Sequence, residues 1–311
     1  MNYILKEYRF TSSDGKNTIY SEIYTPTNMA PRGVVQLVHG MIDYTGRYLD
    51  LAEALTANGY VFAGHHQLGH GKSVMTADDY GYFAEKDGYK YVIEDVKLMN
   101  FYLRKTFPLL PIVILGHSMG SFISRMYVEE YPTTVQGIII HGTGGPNPLV
   151  GVGRGLAKLI KLLKGSKHRS KLIDDLAFGS YNKRYPKEEG HNAWLTRDAE
   201  TITDRDTNEF TSFKFTDAGY VDLFTMLKES NSKKWFKSYP KGLPTLIMSG
   251  DMDPVGNYGD GPRYVYKQLM LSGVTSVKLK MYEGARHELF KETNRQEVFA
   301  DILEWLGGIK G

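Results

Sequence analysis

Short apolar runs alternate with amphipathic stretches along most of the chain. The strand candidates are rich in β-branched and aromatic side chains and lie at 3–10, 18–24, 33–38, 60–63, 111–115, 136–140, 245–249 and 277–282. The first two flank Ser13-Asp14-Gly15-Lys16, where Asp-Gly favours a hairpin turn. Several later runs are apolar along their whole length, as expected for strands buried on both faces of a parallel sheet.

Apolar residues at helical spacing occupy the gaps between these runs. They cover 47–58, 87–106, 120–131, 264–272 and 295–306. The first of these stretches ends before Gly59, a residue typical of helix C-termini. Strands that alternate with helices predict an α/β fold, with a mostly parallel central sheet covered by helices on both faces.

This alternation stops between residues 146 and 235, where the chain is more aromatic and more helical than one crossover connection requires. We therefore predict a core built from residues 1–145 and 236–311, with residues 146–235 inserted into it as a helical cap, or lid. Aromatic side chains of the cap are expected to pack against the core, and a few of them to line a pocket.

Residues 154–164 within the predicted cap have the pattern of a basic amphipathic helix. Its apolar positions are Leu156, Leu159, Ile160 and Leu163, and its lysines on other faces are Lys158, Lys161 and Lys164. One interpretation is a helix docked on the core with solvated lysines. The other is a surface that makes transient contact with a membrane or micelle, or shelters an acyl chain.

Composition and charge narrow the classes of function. Hydrophobic residues make up 41% and charged residues 23%, which excludes a wholly disordered chain. The net charge of +3 is too small to indicate a nucleic-acid partner. It is unevenly distributed, because residues 149–190 hold ten basic and four acidic side chains, which leaves −3 for the rest.

The absence of cysteine excludes disulfides, thiolate nucleophiles and Cys-ligated metals, and it fits a reducing compartment. The start, MNYILKEYRF, lacks the apolar region of a signal peptide. No apolar run approaches the roughly 18 residues of a membrane-spanning helix. We expect a cytoplasmic protein, with peripheral membrane association through residues 154–164 as a further possibility, and the sequence leaves the oligomeric state unknown.

The stretch Gly116-His117-Ser118-Met119-Gly120 matches G-x-S-x-G between a predicted strand and a predicted helix. The turn is so tight that Gly116 and Gly120 are needed, and it holds Ser118 in a strained conformation with its hydroxyl exposed above the sheet. The following helix directs free N–H groups toward an oxyanion. The pattern predicts Ser118 as a nucleophile, with a chance glycine-rich turn as the alternative.

A serine hydroxyl needs a base to take its proton and an acid to orient that base, in the chain order Ser, Asp or Glu, His. Of nine histidines, only His287 follows a late strand in a short loop before the final helix. The acid is Asp251 or Asp253. We favour Asp253, which precedes Pro254 where the loop can turn back toward His287, and expect Asp251 to bind loop amides.

Two backbone N–H groups are expected to hold the oxyanion. One is that of Met119, directly after the nucleophile. The other is that of Met41, in the loop after an early strand, where Gly40 allows the backbone to come close.

Three histidines in one loop, His65, His66 and His70, raise the question of a metal site. They lack H-x-H or H-E-x-x-H spacing and have no carboxylate ligand beside them. We expect them to hydrogen-bond the rim of the core, and we predict neither a metal nor a cofactor.

Together these motifs resemble those of the α/β-hydrolase superfamily. The stretches concerned are V-H-G-M at 38–41, G-R-Y at 46–48, G-H-G-K-S at 69–73, G-H-S-M-G at 116–120, G-D-M-D at 250–253 and G-A-R-H-E at 284–288. They are most similar to the monoacylglycerol lipase and lysophospholipase branch, grouped with serine aminopeptidase-like hydrolases. This resemblance implies a triad of Ser118, Asp253 and His287, with Met41 and Met119 as oxyanion donors.

One position departs from that family pattern. The family usually has an aspartate in the Asp-x-x-Gly-His-Gly loop where this chain has His66. Because that acid is generally structural, the change puts the packing of the loop in doubt rather than the catalysis.

The expected function is that of a cofactor-free serine hydrolase that cleaves carboxylic esters through an acyl-enzyme. Its expected substrate is a small mono-acyl ester such as a monoacylglycerol or lysophospholipid. Two alternatives stay open. One is an amidase or aminopeptidase on the same scaffold, whose acidic cap residues would be Asp198, Glu200, Asp204 and Asp206. The other is a binding protein without turnover.

Overall fold

The computed structural model describes residues 2–310. Its strands are β1 (Tyr3–Thr11), β2 (Thr18–Pro26), β3 (Gly33–Val38), β4 (Tyr60–His65), β5 (Ile112–His117), β6 (Gly137–His141), β7 (Thr245–Gly250) and β8 (Val277–Tyr282). They form a single sheet in the order β1-β2-β4-β3-β5-β6-β7-β8. The β1–β2 and β2–β4 pairs are antiparallel, and every pair from β4 to β8 is parallel. The prediction of a mostly parallel α/β sheet is confirmed.

The α-helices of the described residues are α1 (Leu49–Ala57), α2 (Gly88–Thr106), α3 (Met119–Glu130), α4 (Val150–Lys164), α5 (Lys171–Phe178), α6 (Ala199–Thr207), α7 (Asp217–Ser230), α8 (Lys233–Ser238), α9 (Asp260–Leu271) and α10 (Arg295–Gly307). The first four and the last two fall where apolar spacing predicts helices, whereas α5 to α8 have no individual prediction.

The central strands are apolar throughout because both faces of the sheet are covered. In β5, Ile112 and Ile114 belong to a core cluster that includes residues of α2 and α3. The alternate residues Val113 and Leu115 belong to a second cluster, which includes residues of α1 and α10. Each fully buried side chain of this kind contributes about 1.5–3 kcal/mol relative to an exposed one. The two-sided burial fixes the register of the strands, and with it the position of the loops at their carboxyl ends.

The segment between β6 and β7 contains α4 to α8, and we call it the β6–β7 insertion (residues 142–244). Its helix α7 packs on α3 of the core and also supports α4. The division into residues 1–145 and 236–311 as core and 146–235 as cap stays a prediction.

Helix α4 divides its apolar residues between two sides. Leu156 and Ile160 pack against the core, as the predicted amphipathic face requires. Leu159 and Leu163, which share that predicted face, are more than half exposed. Among residues 2–310, no helix combines the length and the apolar character that crossing a membrane requires.

Candidate active site

Ser118 occupies the junction between β5 and α3. Its backbone lies at φ 53° and ψ −119°, a strained conformation for a residue with a side chain. The flanking glycines permit this turn, since a Cβ on Gly116 would collide with the carbonyl oxygen of Gly120. A Cβ on Gly120 would in turn collide with the carbonyl oxygen of Val38. The elbow therefore has space only for the two glycines that the motif supplies.

The two backbone donors predicted for the oxyanion lie on either side of Ser118. Met119 is the first residue of α3, so its N–H has no carbonyl partner within the helix. Gly40 brings the loop after β3 close, since a Cβ there would lie 3.2 Å from the Cβ of Ser118. Met41 and Met119 both line the cavity that contains Ser118. Their role as oxyanion donors stays a prediction that this placement supports.

The predicted base and acid meet at the carboxyl ends of β7 and β8. His287 Nδ1 lies 2.9 Å from Asp253 Oδ2, and both side chains are almost fully buried. Asp253 also accepts a hydrogen bond from the Val255 N–H through its other carboxylate oxygen, at 2.8 Å. Asp251 points elsewhere and accepts the N–H of Gly284 at 2.8 Å. The geometry thus pairs His287 with Asp253 rather than with Asp251.

Ser118 and His287 line one cavity of about 510 Å³. Within residues 2–310 no hydrogen bond joins their side chains, so their catalytic pairing stays a prediction. Asp253 lies behind His287, which places the ring between the carboxylate and the cavity. A buried carboxylate requires such a hydrogen-bonded partner, because desolvation otherwise opposes its ionisation.

The β6–β7 insertion supplies most of the cavity wall. Aromatic side chains of the insertion that line it are Phe178, Tyr181, Trp194, Phe213 and Phe224. Aliphatic residues of α4 and its neighbourhood add Leu149, Val150, Val152 and Leu156. Polar side chains of the insertion also line it, among them Asp174, Asp175, Asn182 and His191, although apolar surface predominates. A mostly apolar cavity with polar groups near the nucleophile suits a ligand with an apolar chain and a small polar part.

A buried charge cluster lies beside the catalytic loops. The Arg47 guanidinium contacts both carboxylate oxygens of Glu288, at 2.8 and 2.6 Å, and one oxygen of Asp43 at 3.1 Å. Arg205, from α6, adds a contact to Glu288 at 3.4 Å. Burial opposes ionisation of Glu288, but the adjacent Arg47 outweighs it and lowers the pKa of Glu288 to about 2. We call these four residues the Arg47 cluster.

The Arg47 cluster connects the loops that carry the site. Glu288 directly follows His287, and Asp43 accepts the N–H of Gly40 at 3.3 Å in the predicted oxyanion loop. The Glu288 N–H donates to the carbonyl oxygen of Leu195 in the β6–β7 insertion at 2.7 Å. Sequence reasoning missed this cluster, although Arg47 and Glu288 belong to the motifs at 46–48 and 284–288. Arg47 and Glu288 are 241 positions apart, and no periodicity connects them.

His66 and His70 are buried and hold backbone groups, as expected, but the prediction is wrong for His65. Both ring nitrogens of the buried His65 have no hydrogen-bond partner among the described residues, so its ring serves only in packing. His66 Nδ1 accepts the Lys72 N–H at 2.8 Å, and His66 Nε2 lies 2.8 Å from Thr45 Oγ1. His70 Nε2 accepts the Ile42 N–H at 3.2 Å. Burial lowers the pKa of His66 well below its usual value, so the ring is neutral. His66 therefore performs the structural task of the loop without a carboxylate.

A serine raised on such an elbow, at the carboxyl edge of a parallel sheet that also presents a His–Asp pair, is the arrangement of an α/β-hydrolase. Comparison with known proteins agrees with this class. The chain belongs to the serine aminopeptidase, S33 family, whose model matches residues 29–294.

Three similar proteins illustrate the relationship. A monoglyceride lipase homolog of monkeypox virus is 28% identical over 93% of this chain and 94% of its own length. A monoacylglycerol lipase of Mycolicibacterium smegmatis is 26% identical over 96% of each chain. The crystal structure of a thermostable carboxyl esterase from Bacillus coagulans, in complex with glycerol, superposes with a TM-score of 0.92, at 29% identity over 98% of each chain. These similarities identify the chain as a carboxylic ester hydrolase of the α/β-hydrolase class.

Proposed function

We propose that this chain hydrolyses mono-acyl carboxylic esters through an acyl-enzyme on Ser118. The observation that carries the proposal is the buried hydrogen bond of 2.9 Å between His287 and Asp253, at the cavity that also contains the strained Ser118. A neutral imidazole with its Nδ1–H fixed by a carboxylate has its Nε2 free to accept a proton. This is the state that a serine hydroxyl requires in its base.

The proposed reaction has two halves. Ser118 Oγ attacks the ester carbonyl while His287 takes the hydroxyl proton, and the amides of Met41 and Met119 bind the oxyanion. His287 then gives the proton to the departing alcohol, which leaves the acyl group on Ser118. In the second half, water attacks the acyl-enzyme carbonyl while His287 takes a proton from the water. His287 then gives that proton to Ser118 Oγ as the acyl–oxygen bond breaks, which releases the acid and restores the serine.

The cavity supports a substrate with one acyl chain. Its aromatic and aliphatic wall comes mainly from α4, α5 and the loop after α5, and each buried methylene gains about 0.8 kcal/mol. A volume of about 510 Å³ accommodates one chain with a small head group more readily than several chains. The similar lipases are named for monoacylglycerol or monoglyceride, which agrees with a mono-acyl substrate.

A panel of p-nitrophenyl esters of rising chain length tests the proposal, followed by monoacylglycerols and lysophospholipids of the preferred length. We expect Ser118→Ala to lose roughly 10⁶-fold in kcat, the scale of a triad nucleophile. Ser272→Ala, outside the cavity, serves as the matched control and should keep the wild-type rate. Turnover retained in Ser118→Ala would end the serine mechanism. Failure of Ser118 to react with a fluorophosphonate probe would favour a binding protein without turnover.

An aminopeptidase on this scaffold would need a carboxylate in the cavity to bind the substrate ammonium group. The acidic residues considered for that role are directed elsewhere. Asp198 accepts the Thr201 N–H at 3.0 Å, which caps α6, and Asp206 accepts a hydrogen bond from Asn192. Neither they nor Glu200 and Asp204 are among the residues that line the cavity.

The carboxylates that do line it already have partners. Asp174 accepts from the Tyr220 hydroxyl at 2.5 Å, Asp175 accepts from Lys171 Nζ at 2.6 Å, and Asp43 and Glu288 belong to the Arg47 cluster. Esters should therefore be cleaved faster than aminoacyl-naphthylamides, and the reverse order would favour the aminopeptidase.

We further propose that the outer side of α4 and α5 makes transient contact with lipid aggregates. The side chains concerned are exposed leucines that do not line the cavity: Leu159, Leu162, Leu163 and Leu172. Lys158 and Lys164 lie on the same basic helix, and each lysine near an anionic surface adds about 1 kcal/mol. Exposed apolar side chains rimmed by basic residues are typical of surfaces that bind membranes.

Vesicle sedimentation tests this surface, with phosphatidylglycerol vesicles compared with phosphatidylcholine vesicles. We expect stronger binding to the anionic vesicles, and a marked loss in the double variant Leu162→Gln/Leu163→Gln. Leu109→Gln is the matched control, because Leu109 is 92% exposed but lies in the loop after α2. Equal binding by both variants, or no binding to either vesicle, would contradict the contact.

A further inference from the structure

Three histidine rings lie side by side next to Ser118. The His117 ring centroid is 4.5 Å from that of His141 and 4.9 Å from that of His287. His117 and His141 are register partners at the ends of β5 and β6, so the sheet itself places them together. His117 directly precedes Ser118 and lines the same cavity. The site thus holds a second imidazole that competes, in principle, for the proton of the nucleophile.

The hydrogen bonds of the pair fix where its protons lie. The Leu289 N–H donates to His141 Nε2 at 3.3 Å, so this nitrogen carries no hydrogen. The proton of neutral His141 must therefore lie on Nδ1, which is 2.8 Å from His117 Nδ1. His141 is the donor in that bond, and His117 Nδ1 is the acceptor. The proton of neutral His117 consequently lies on Nε2.

Both nitrogens of His117 are then unable to accept a proton from Ser118, since one already carries hydrogen and the other already accepts a hydrogen bond. We propose that His141 is a positioning residue that locks His117 as a neutral Nε2–H imidazole, which leaves His287 as the only base for Ser118. The proposal deepens the proposed serine mechanism and rests on it in one respect, the role of His287.

The surroundings of the pair favour its neutral state. Burial lowers the pKa of His117 well below its usual value, and the neighbouring His141 and His287 act in the same direction. The pKa of His141 is lowered by burial in the same way. The charged and titratable groups that face the pair are His287, Glu288, Asp43, Arg47 and Tyr48. The two carboxylates oppose the shifts, but burial outweighs them.

The structure also explains why a neutral His117 suits the reaction. His287 must become a cation when it takes the serine proton, and Asp253 stabilises that cation. A second cation on His117, with its ring 4.9 Å away, would oppose it in the transition state. Leu289 lies two residues after His287, so the segment that carries the base also donates the hydrogen bond that fixes the His141 tautomer.

Nitrogen-15 NMR of histidine-labelled protein tests the tautomer directly. The signals of His117 are assigned by their loss in His117→Gln, and the measurement is made in the Ser118→Ala protein, so that it requires no activity. We expect a protonated Nε2 and an unprotonated Nδ1 that do not change between pH 8 and pH 5. A protonated Nδ1, or titration of His117 near pH 6.5, would overturn the proposal and leave the serine mechanism standing.

Two substitutions at His141 separate the lock from simple packing. His141→Asn keeps an N–H donor at the position of Nδ1, whereas His141→Phe keeps a flat ring and removes the donor. We expect a share of His117 to carry its proton on Nδ1 in His141→Phe, and the proton to stay on Nε2 in His141→Asn. Burial is the same in both variants, so His117 should stay neutral in each, and only the tautomer should differ.

Nitrogen-15 NMR of His117 in the two variants therefore decides between the two roles. A share of His117 protonated on Nδ1 in His141→Phe, absent in His141→Asn, supports the positioning role of His141. An unchanged Nε2–H tautomer in a folded His141→Phe would overturn it, as would the same change in both variants. If His141→Phe does not fold, the tautomer measured in the Ser118→Ala protein decides alone.

Discussion

Replacing Arg47 by methionine removes the centre of the Arg47 cluster while keeping most of the side-chain volume. The substitution leaves Glu288 and Asp43 buried without the guanidinium that contacts both of them. Arg205 remains, but its contact to Glu288 is longer, at 3.4 Å. An uncompensated buried carboxylate is a large and specific cause of destabilisation.

The general cost of breaking buried ion pairs gives the size of the effect. Removing one partner of such a pair typically costs about 3–5 kcal/mol in the free energy of unfolding. The lowered pKa of Glu288 agrees in sign, because burial opposes ionisation and the adjacent Arg47 and Arg205 outweigh it. We therefore expect Arg47→Met to destabilise the protein by about 3 kcal/mol at pH 7.

Urea unfolding followed by tryptophan fluorescence measures this difference. Lys171→Met is the matched control, because the Lys171–Asp175 distance of 2.6 Å equals the Arg47–Glu288 distance. The side chains of the control pair are 77% and 55% exposed, so its loss should cost at most about 1 kcal/mol. The comparison therefore separates the effect of burial on the ion pair from the effect of the distance between its charges.

Equal losses of stability in Arg47→Met and Lys171→Met, within about 0.5 kcal/mol, would refute burial of the charges as the cause. A second variant examines the cause, since Glu288→Gln in the Arg47→Met background removes one stranded charge. That double variant should be more stable than Arg47→Met alone. A further loss of stability would show that charge burial is not the origin of the effect.

Three other predictions concern the site and its surroundings. Asp253→Asn should lower kcat by roughly 10⁴-fold because His287 loses its correct tautomer, whereas Asp251→Asn should lower kcat far less. Steady-state assays on the preferred ester measure both, and equal losses would contradict the pairing of His287 with Asp253. Gly120→Ala should prevent correct formation of the elbow, seen as loss of fluorophosphonate labelling, since its Cβ collides with the Val38 carbonyl; a fully labelled variant would contradict this. Because the pKa of Glu288 is lowered on folding, its stabilising effect is complete above about pH 4.5 and is lost as the pH falls toward 2. Glu288→Gln should therefore flatten the pH dependence of the free energy of unfolding in that range, as measured by urea unfolding. An unchanged pH dependence would contradict the role of Glu288.

The sequence predicts the fold well where local pattern and tertiary burial agree. Strand β5 is one case, because its uninterrupted apolar run matches a strand covered on both faces. The elbow at Ser118 is another, since the glycines, the strand and the helix that define it are adjacent in the chain. His287 and Asp253 are found because each follows a strand whose end must lie at the same edge of the sheet.

Features that depend on contacts between distant elements are not visible in the pattern. The spacing of Leu156, Leu159, Ile160 and Leu163 predicts a single apolar face on α4, yet the structure exposes Leu159 and Leu163. Helical periodicity reports which residues share a side, but not how much of that side another element covers. The His117–His141 pair is similar, because strand order alone brings those rings together.

The loop at His66 shows how the residue at one position constrains the residue at another. Thr45 has a single hydroxyl proton, which it donates to Glu22 Oε2 at 2.6 Å, so Thr45 Oγ1 must accept from His66 Nε2–H. An aspartate at position 66, the residue usual in the family, would leave two carboxylates competing for that one proton. An acid at position 66 would therefore weaken the loop here unless Glu22 changed with it, so positions 22 and 66 are expected to vary as a pair across related chains.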